Sequence, residues 1–431
     1  MSAEFIILIL SFVGLLFLSV PIAAVIGLSA ALAIFASGGS CFEITATSMA
    51  QGVDSFALLA IPFFILSGMI MGKGAMAIRL INLASALVSP LPGGLAFVNT
   101  LTCMFFGAIS GSSVAAVSSI GSFMIPQMQK KGYGKEMAIA LTVCSSTTGM
   151  LIPPSNTMIV YAVAVGGISI GALFIAGIIP GILLGVAIML VSLFFAKRNK
   201  TKAEGAFDFK KVLIAFKEAF LSLMLIVIVL GGILGGIFTA TEAAVIAVAY
   251  AFVLEVLIYR DISMRDMYKI LYDSARVTGV VMLIVGASTA MSWIMTMTNV
   301  PQQIAQAMDI FGGNKIAILL AINIILLFVG MFMDMTPAIL IFTPIFLPIV
   351  SQLGIDTIHF GIIMITNLSI GLCTPPVGTC LFVGCGVGNS DIGAISPKLV
   401  PYVAAMILAL LVITFIPELS TWLPKVCGLG N

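Results

Sequence analysis

Long apolar stretches leave this chain few folds to choose from. They cover residues 5–35, 56–71, 172–196, 221–259 and 402–416. A helix needs about 20 apolar residues to span about 30 Å of hydrocarbon, and some of these stretches are long enough for two crossings. Membrane β-barrels alternate apolar and polar positions and do not fit this pattern. The sequence therefore predicts an all-α polytopic membrane protein whose outer surface faces a lipid bilayer.

Charged residues are too few to cover a water-facing surface, and their positions predict how the chain is oriented. Only 8% of residues are charged and the formal net charge is +2, whereas a soluble domain carries about 25% charged residues. We expect no nucleic-acid partner. If the N-terminus lies outside, all but two of the 19 Lys and Arg lie inside, the exceptions being Lys315 and Lys425. Basic residues accumulate in cytoplasmic loops, so the sequence predicts this orientation, with an outside loop at 37–55.

The chain contains an internal repeat. Residues 126–172 align without a gap with 348–394, an offset of 222 positions, and eleven of the 47 aligned pairs are identical. The identities fall mostly on Gly and Pro, as at Gly149 and Gly371, and these residue types indicate backbone geometry rather than general hydrophobicity. Gene duplication in a structural membrane protein would leave the same trace.

The repeat divides the chain into two halves. The first is predicted at 1–196 and the second at 219–431, with a basic cytoplasmic linker at 197–218. Each half is expected to contribute five crossings, and this odd number turns the second half upside down relative to the first. Inverted repeats are typical of secondary transporters.

Polar clusters interrupt one apolar segment in each half. Residues 107–114 divide the segment at about 93–127, and residues 330–337 divide the segment at about 315–349. Non-helical backbone inside a membrane is tolerated only where protein or a water-filled cavity buries it. Basic residues on one side of the membrane flank the first segment, so it must enter and leave by the same face. Each segment is predicted to be a re-entrant helical hairpin, and the two should dip in from opposite faces.

A Pro-Pro pair breaks a second segment in each half, at about 136–165 and about 358–387. Proline cannot continue a helix but suits the first turn of a new one. Each segment should therefore consist of a helix, an unwound polar stretch and a half-helix. Free carbonyl groups before the prolines suit a cation such as Na⁺, and the N–H groups at the helix N-termini suit an anion. Close packing of small residues explains the Ser, Thr and Gly here but not the loss of helix.

Asp334 lies at the predicted tip of the second hairpin. An ionisable residue inside a membrane is a functional hypothesis by default. A capping role for the helix that begins around Thr336 is compatible with this, and both roles stay open. The single histidine, His359, has no metal partner in view, and the sequence holds no G-x-x-x-x-G-K-[ST] loop for ATP hydrolysis.

The four interruptions, in this order, resemble a known family. The motifs are Gly107 to Ser113 (GAISGSS), Leu151 to Ser155 (LIPPS), Gly330 to Pro337 (GMFMDMTP) and Thr374 to Gly378 (TPPVG). They are similar to the large membrane subunit of tripartite ATP-independent periplasmic (TRAP) transporters, and the resemblance covers nearly the whole chain. It implies Na⁺-driven uptake of a carboxylate across a bacterial inner membrane, with the N-terminus in the periplasm. It also implies an elevator-type transporter with two partners, a small four-helix membrane subunit and a periplasmic substrate-binding protein.

The resemblance places the Na⁺ sites at the hairpin tips and unwound stretches. The candidate Na⁺ ligands are Ser110, Ser145, Ser146, Thr147, Gly149, Gly330, Asp334, Thr336, Asn367, Ser369, Gly371 and Thr374. The candidate substrate-binding residues are Ser110, Gly111, Ser112, Ser113, Pro153, Pro154, Asn156, Pro375, Pro376 and Thr379. Sialic acid (N-acetylneuraminate) is the preferred substrate, and C4-dicarboxylates come next.

Two other functions are compatible with parts of the pattern. A single-component Na⁺/dicarboxylate symporter of the divalent-anion family would share the hairpin plan and need no binding protein. An intramembrane enzyme would need paired Asp residues, a Ser/His couple or an H-E-x-x-H motif, which one His and one mid-membrane Asp do not supply. The sequence therefore predicts a transporter rather than an enzyme.

Overall fold

The computed structural model describes residues 3–18, 20–38, 41–88, 90–198, 208–308 and 313–429, and these residues are organised as helices joined by short turns. The first half contains ten helices in this part of the chain: α1 Ala3–Phe17, α2 Ile22–Ala36, α3 Cys41–Val53, α4 Ala60–Lys73, α5 Ala75–Val88, α6 Gly94–Ser110, α7 Ser113–Lys130, α8 Lys135–Ser146, α9 Asn156–Val165 and α10 Ile170–Arg198. Of the predicted linker at 197–218, residues 199–207 lie outside the described residues.

The second half follows the same order. Its helices are α11 Phe209–Leu234, α12 Ala240–Phe252, α13 Met264–Met297, α14 Val300–Met308, α15 Lys315–Gly330, α16 Met335–Gln352, α17 Thr357–Gly371, α18 Thr379–Gly388, α19 Ile392–Phe415 and α20 Glu418–Val426. Three pairs of helices begin at positions separated by the offset of the sequence repeat: α7 and α16, α8 and α17, and α10 and α19. The sequence repeat is therefore also a repeat of helix boundaries.

Eight helical runs within the described residues are long and apolar enough to cross a bilayer. They are Phe56–Lys73, Ile170–Arg198, Phe209–Leu234, Ala240–Ile258, Met264–Met297, Lys315–Phe332, Met335–Gln352 and Ile392–Phe415. Two of these runs are the arms of the second predicted hairpin. Length and composition do not distinguish a crossing from a re-entrant arm, so the depth and direction of both hairpins stay predictions.

The loop expected at 37–55 is wrong for most of its length, because residues 41–53 form α3. Its polar residues end the apolar run without ending the tendency to form a helix, and α3 packs against α13. The offset of the repeat maps α3 and α4 onto the single helix α13, which contains 34 residues. The second half thus has one continuous helix where the first half has a break.

The central layer is made by the broken helices. Every residue of α8 from Ala138 to Ser146 and every residue of α17 from His359 to Gly371 is buried. A helix buried on all sides lies inside a large core. The hairpin helices of each half pack on the broken helix of the other half, α7 on α18 and α16 on α9. A second group, α2 to α5 with α11 to α13, packs mainly within itself, and we refer to it as the scaffold.

The two halves of the scaffold are joined by a buried carboxylate. Glu255 is fully buried at the end of α12, where the helix widens into a π-helical turn at Val253–Ile258. Its carboxylate accepts hydrogen bonds from the backbone N–H groups of Ala75 (3.0 Å) and Met76 (2.9 Å). These donors belong to the first turn of α5, where a negative charge is favourable. Glu255 therefore caps a helix of the other half.

Candidate functional site

A cavity of about 420 Å³ lies where both hairpin tips meet the scaffold. Its wall is shared by the first tip, the start of the first half-helix, the second tip and two scaffold helices. The lining residues are Ile61, Ile65, Gly68, Met69, Ser110, Gly111, Ser112, Ser113, Val114, Ala115, Ser118, Met150, Asn156, Thr157, Val160, Val277, Val281, Asp334, Met335, Thr336 and Leu372. The fold thus gathers segments from both halves of the repeat into one wall.

Three helix N-termini end at this cavity, those of α7, α9 and α16. The side chain of Ser112 caps α7 by accepting a hydrogen bond from the N–H of Ala115 (3.3 Å). Gly111 precedes it with φ +58°, a left-handed conformation that favours glycine, and its N–H donates to the Gly107 carbonyl (2.8 Å). Helix N-termini present unpaired N–H groups and a partial positive charge. They suit the carboxylate or sulfonate group of an anion.

Asp334 is the one charged residue among the described residues that line the cavity. It occupies the N-cap position of α16, but its side chain makes no capping hydrogen bond to that helix. Asp334 is an exposed residue and lines the cavity. Asp334 therefore occupies the capping position that the sequence predicts, but its side chain does not make the capping hydrogen bond. The carboxylate is free to interact with a ligand in the cavity.

The scaffold side of the cavity is apolar. The scaffold contributes Ile61, Ile65 and Met69 from α4 and Val277 and Val281 from α13 to the lining. The polar groups are on the opposite side, which the hairpin tips and the first half-helix provide. A ligand in this cavity meets hydrogen-bond donors and acceptors on one side and aliphatic side chains on the other.

The unwound stretches adjoin the cavity, and Leu372 of the second stretch belongs to its lining. Residues 151–155 separate α8 from α9 after a 3₁₀ turn, and residues 372–378 separate α17 from α18. Both Pro-Pro bonds, at 153–154 and 375–376, are cis. The thiol of Cys373 donates to the carbonyl of Val143 (3.3 Å), so the second stretch contacts the first broken helix. The Gly378 N–H donates to the Met331 carbonyl (3.1 Å), which ties the second stretch to the second hairpin tip.

Each hairpin approaches its own broken helix through a pair of glycines. Gly107 of α6 lies against Gly149, and Gly330 of α15 lies against Gly371. A Cβ atom added to Gly371 would lie 2.5 Å from the Cα of Gly330. The close approach needs the missing side chains, because no Cβ atom fits at that distance.

Oxygen atoms are concentrated along the same helices. Four hydroxyl groups donate to backbone carbonyls three or four residues earlier in the chain at 2.7–2.8 Å, and they belong to Ser146, Thr147, Ser369 and Thr374. Donation uses the proton of each hydroxyl and leaves its lone pairs available. Three further buried oxygens have no hydrogen-bond partner: Asn156 Oδ1, Asn367 Oδ1 and Thr379 Oγ1. Such oxygens are the ligands that hard cations prefer.

The residues predicted from the sequence divide into two groups. Those that line the cavity are Ser110, Gly111, Ser112, Ser113, Asn156, Asp334 and Thr336. The others lie outside its lining: Ser145, Ser146, Thr147, Gly149, Pro153, Pro154, Gly330, Asn367, Ser369, Gly371, Thr374, Pro375, Pro376 and Thr379. The sequence pattern did not indicate Thr157, which lies in the half-helix, or any of the scaffold residues. The scaffold residues could not be recognised from the sequence, because aliphatic residues are common on every helix of this chain.

Comparison with known proteins identifies the family to which this chain belongs. Residues 9–419 match the model of the family described as "Tripartite ATP-independent periplasmic transporter, DctM component". The chain belongs to this family. It is therefore a large permease component of a bacterial TRAP transporter and a multi-pass membrane protein. Membership favours the tripartite system over the single-component symporter, and the chain's relatives are transporter permeases rather than enzymes.

Several known proteins, two of them named as TRAP permeases, are similar to this chain over most of its length. The protein YgiK of Salmonella typhimurium is 48% identical, with 96% of this chain and 95% of that protein covered. The isethionate TRAP permease DctMQ of Oleidesulfovibrio alaskensis is 44% identical, with 94% and 64% covered. The C4-dicarboxylate permease DctM of Pseudomonas aeruginosa is 40% identical, with 94% and 95% covered.

Solved transporters share the fold at low sequence identity. The YdaH transporter of Alcanivorax borkumensis superimposes with a TM-score of 0.65 at 14% identity, with 91% of this chain and 90% of that chain covered. MtrF of Neisseria gonorrhoeae gives a TM-score of 0.53 at 12% identity, with 86% and 83% covered. These likenesses concern the arrangement of the helices.

Proposed function

We propose that this permease carries a small organic acid into the cell together with Na⁺. The observation that carries the proposal is the cavity at which three helix N-termini meet the carboxylate of Asp334. An anion would bind to the N–H groups of α7 and α9, where Ser112 and Asn156 contribute polar side chains. Na⁺ would bind to the nearby oxygens and neutralise the charge of the cargo.

The nature of the cargo is proposed as a class. Relatives are named for isethionate, C4-dicarboxylates, sialic acid and 2,3-diketo-L-gulonate. All of these bear an acidic group, which fits the cluster of helix N-termini. The relative named for sialic acid is 35% identical to this chain, against 44% for the isethionate relative and 35–40% for the relatives named for C4-dicarboxylates. Sequence identity to these relatives therefore adds no support to the prediction that sialic acid is the substrate, and sialic acid remains one of the acids to test.

Na⁺ is proposed as the coupling ion because neutral oxygens surround the unwound stretches. The hydroxyls of Ser146 and Thr374 keep their lone pairs, and Asn367 Oδ1 is buried without a partner. A buried polar atom without a partner costs free energy, on the order of 1–3 kcal/mol. A bound cation would remove that cost. The broken helices of secondary transporters hold coupling ions in this way.

The motion proposed is that of an elevator. The hairpins and broken helices form one packed unit, and the cavity lies between this unit and the scaffold. Sliding the unit against α4 and α13 would carry the cavity across the bilayer. The apolar wall of Ile61, Ile65 and Val281 would let the unit slide, because it makes no hydrogen bonds that must break.

Two partners are proposed. The family description makes the transporter tripartite and ATP-independent, and we assign the other two roles to a small four-helix membrane subunit and a periplasmic substrate-binding protein. The N-terminus is proposed to lie in the periplasm, as the distribution of Lys and Arg predicts.

Reconstitution with one component omitted at a time tests this function. Proteoliposomes would hold this chain and the small subunit, and the cognate binding protein would be loaded with labelled isethionate, succinate or N-acetylneuraminate. We expect uptake of at least one acid when all three components are present and background uptake when any one is left out. Uptake without the binding protein would favour a single-component carrier and contradict the proposal.

A further inference from the structure

Three buried polar side chains outside the cavity lining are joined by hydrogen bonds, and the last of them lies on α17, the helix that precedes the second unwound stretch. They are Thr414 of α19, Asn323 of α15 and Asn367 of α17, and we call them the carboxamide relay. Their exposed fractions are 2%, 3% and 0%. Of these three residues, only Asn367 is a candidate ligand predicted from the sequence. Polar residues buried inside a membrane bundle are costly unless they are paired, so each of these side chains is expected to hold a defined partner.

The direction of the hydrogen bonds in the relay is fixed from its outer end. The Thr414 hydroxyl donates its only proton to the Leu410 carbonyl (2.8 Å). Its oxygen can then only accept, and it accepts from Asn323 Nδ2 (3.1 Å). This turns Asn323 Oδ1 toward Asn367, where it accepts from Asn367 Nδ2. Each step leaves one orientation for the next carboxamide.

The relay ends in an acceptor. With Nδ2 of Asn367 used by Asn323, its Oδ1 is left facing away, and this atom is buried without a hydrogen-bond partner. A flipped Asn367 would place two carboxamide oxygens against each other. Thr414 and Asn323 therefore determine that the side-chain atom which Asn367 leaves unpaired in the core is an oxygen.

The first half contains the same device in a shorter form. The Thr100 hydroxyl donates to the Ala96 carbonyl (3.1 Å), and its oxygen lies 3.0 Å from Ser145 Oγ. When Thr100 donates its proton to the Ala96 carbonyl, Ser145 is the donor to Thr100 and keeps its own lone pairs. Ser145 and Asn367 are matched positions of the sequence repeat.

Thr100 and Asn323, which hydrogen-bond to Ser145 and Asn367, occupy the same position relative to the hairpin glycines. Thr100 lies seven residues before Gly107, and Asn323 lies seven residues before Gly330, the glycines at which the two hairpins approach their broken helices. The two halves use different side chains here, yet each chain of hydrogen bonds ends in a side-chain oxygen at a matched position of the repeat, Ser145 Oγ and Asn367 Oδ1. This agreement between different residue types indicates a shared requirement for an acceptor.

We propose that Thr414 with Asn323, and Thr100 in the first half, are positioning residues that orient Asn367 and Ser145 so that each offers an oxygen to a cation. The proposal rests on the proposed Na⁺ coupling and adds residues that do not touch the ion. Residues that hydrogen-bond to a metal ligand without touching the metal typically change the metal affinity by about 10–100-fold when they are removed. The relay is expected to have an effect of that size on Na⁺.

The test uses the purified full-length chain and Na⁺ as the probe. Thermal unfolding is followed in NaCl at increasing concentration, with choline chloride keeping the ionic strength constant. We compare wild type with Thr414→Val and with Thr100→Val. Thr414→Ser keeps the hydroxyl and serves as the conservative variant. Thr421→Val is the matched control, because Thr421 also donates to a backbone carbonyl (3.0 Å) but lies outside the relay.

The expected result is a Na⁺ concentration for half-maximal stabilisation that rises about 10-fold or more in Thr414→Val and Thr100→Val. Thr414→Ser and Thr421→Val should match wild type. Size-exclusion profiles at saturating Na⁺ show whether each variant is folded. The relay is overturned if Thr414→Val shifts the Na⁺ dependence no more than Thr421→Val does. A wild type that Na⁺ does not stabilise would instead overturn the Na⁺ coupling itself, and the cation role of the relay with it.

Discussion

Ser112 and Asp334 occupy the same place in the two hairpins, directly before the outgoing helix and at matched positions of the repeat, and both line one cavity. The hydroxyl of Ser112 caps its helix, whereas the carboxylate of Asp334 makes no capping hydrogen bond. The repeat thus supplies two equivalent positions to which the chain has given different chemistry. We propose that the neutral tip serves the anion and the negative tip serves the cation.

Asp334→Asn should weaken the apparent affinity for Na⁺ more than the affinity for the loaded binding protein. A carboxylate inside the membrane costs about 2.5–3.5 kcal/mol on insertion scales, and a nearby Na⁺ would offset that cost. An anionic cargo would be repelled by the carboxylate instead. The measurement is uptake as a function of Na⁺ concentration.

Asp391→Asn is the matched control for this prediction. Asp391 also occupies a helix N-cap, that of α19, without a side-chain capping bond, and it does not line the cavity. Its substitution should leave the Na⁺ dependence unchanged. An unchanged Na⁺ dependence in Asp334→Asn together with altered substrate selectivity would move Asp334 to the substrate site.

Ser112→Ala should lower stability slightly and weaken substrate binding strongly. Loss of an N-cap hydroxyl costs about 1 kcal/mol, and the same change removes a polar group from the cavity. Ser263→Ala removes a cap of the same type from α13, where Ser263 bonds to Asp266 away from the cavity. Both variants should melt earlier, but only Ser112→Ala should raise the KM for uptake. Equal KM values in the two variants would confine Ser112 to a structural role.

The hairpin tips and unwound stretches could be predicted because their causes are local. A Pro-Pro pair or a Gly/Ser cluster inside an apolar stretch interrupts a helix wherever it occurs. The partners of these elements are not local. Ile65 and Val281 line the cavity, but nothing distinguishes them in sequence from side chains that face lipid. Asn323 and Glu255 are single polar residues in apolar helices, and only the packing of distant helices shows what they bind.

Gly149→Ala should disrupt the packing of the first hairpin against its broken helix. A Cβ atom at Gly149 would lie 2.3 Å from the Cα of Gly107, so the two helices must separate. Overpacking of this kind typically costs about 1–3 kcal/mol. Gly393→Ala is the control, because the space around Gly393 is open in α19 and alanine favours helix. We expect lower melting temperature and lost uptake for Gly149→Ala only. If both variants transport normally, the close approach of the two helices is not required.

The first hairpin should open toward one side of the membrane. In a Cys427→Ser background, cysteines introduced at Leu95 and Gln127 mark the start of α6 and the end of α7. A membrane-impermeant maleimide should label both positions from the cytoplasmic face of inverted vesicles. Labelling from opposite faces would make this segment a crossing and would contradict the inverted repeat.

The direction of the Na⁺ gradient tests the central claim most directly. Proteoliposomes that hold this chain and the small subunit would receive loaded binding protein outside, with no ATP present. Na⁺ would be set higher outside, equal on both sides, or replaced by K⁺. We expect concentrative uptake of the organic acid only when Na⁺ is higher outside, and collapse of the accumulated pool when the gradient is dissipated. Equal accumulation in K⁺ would contradict it.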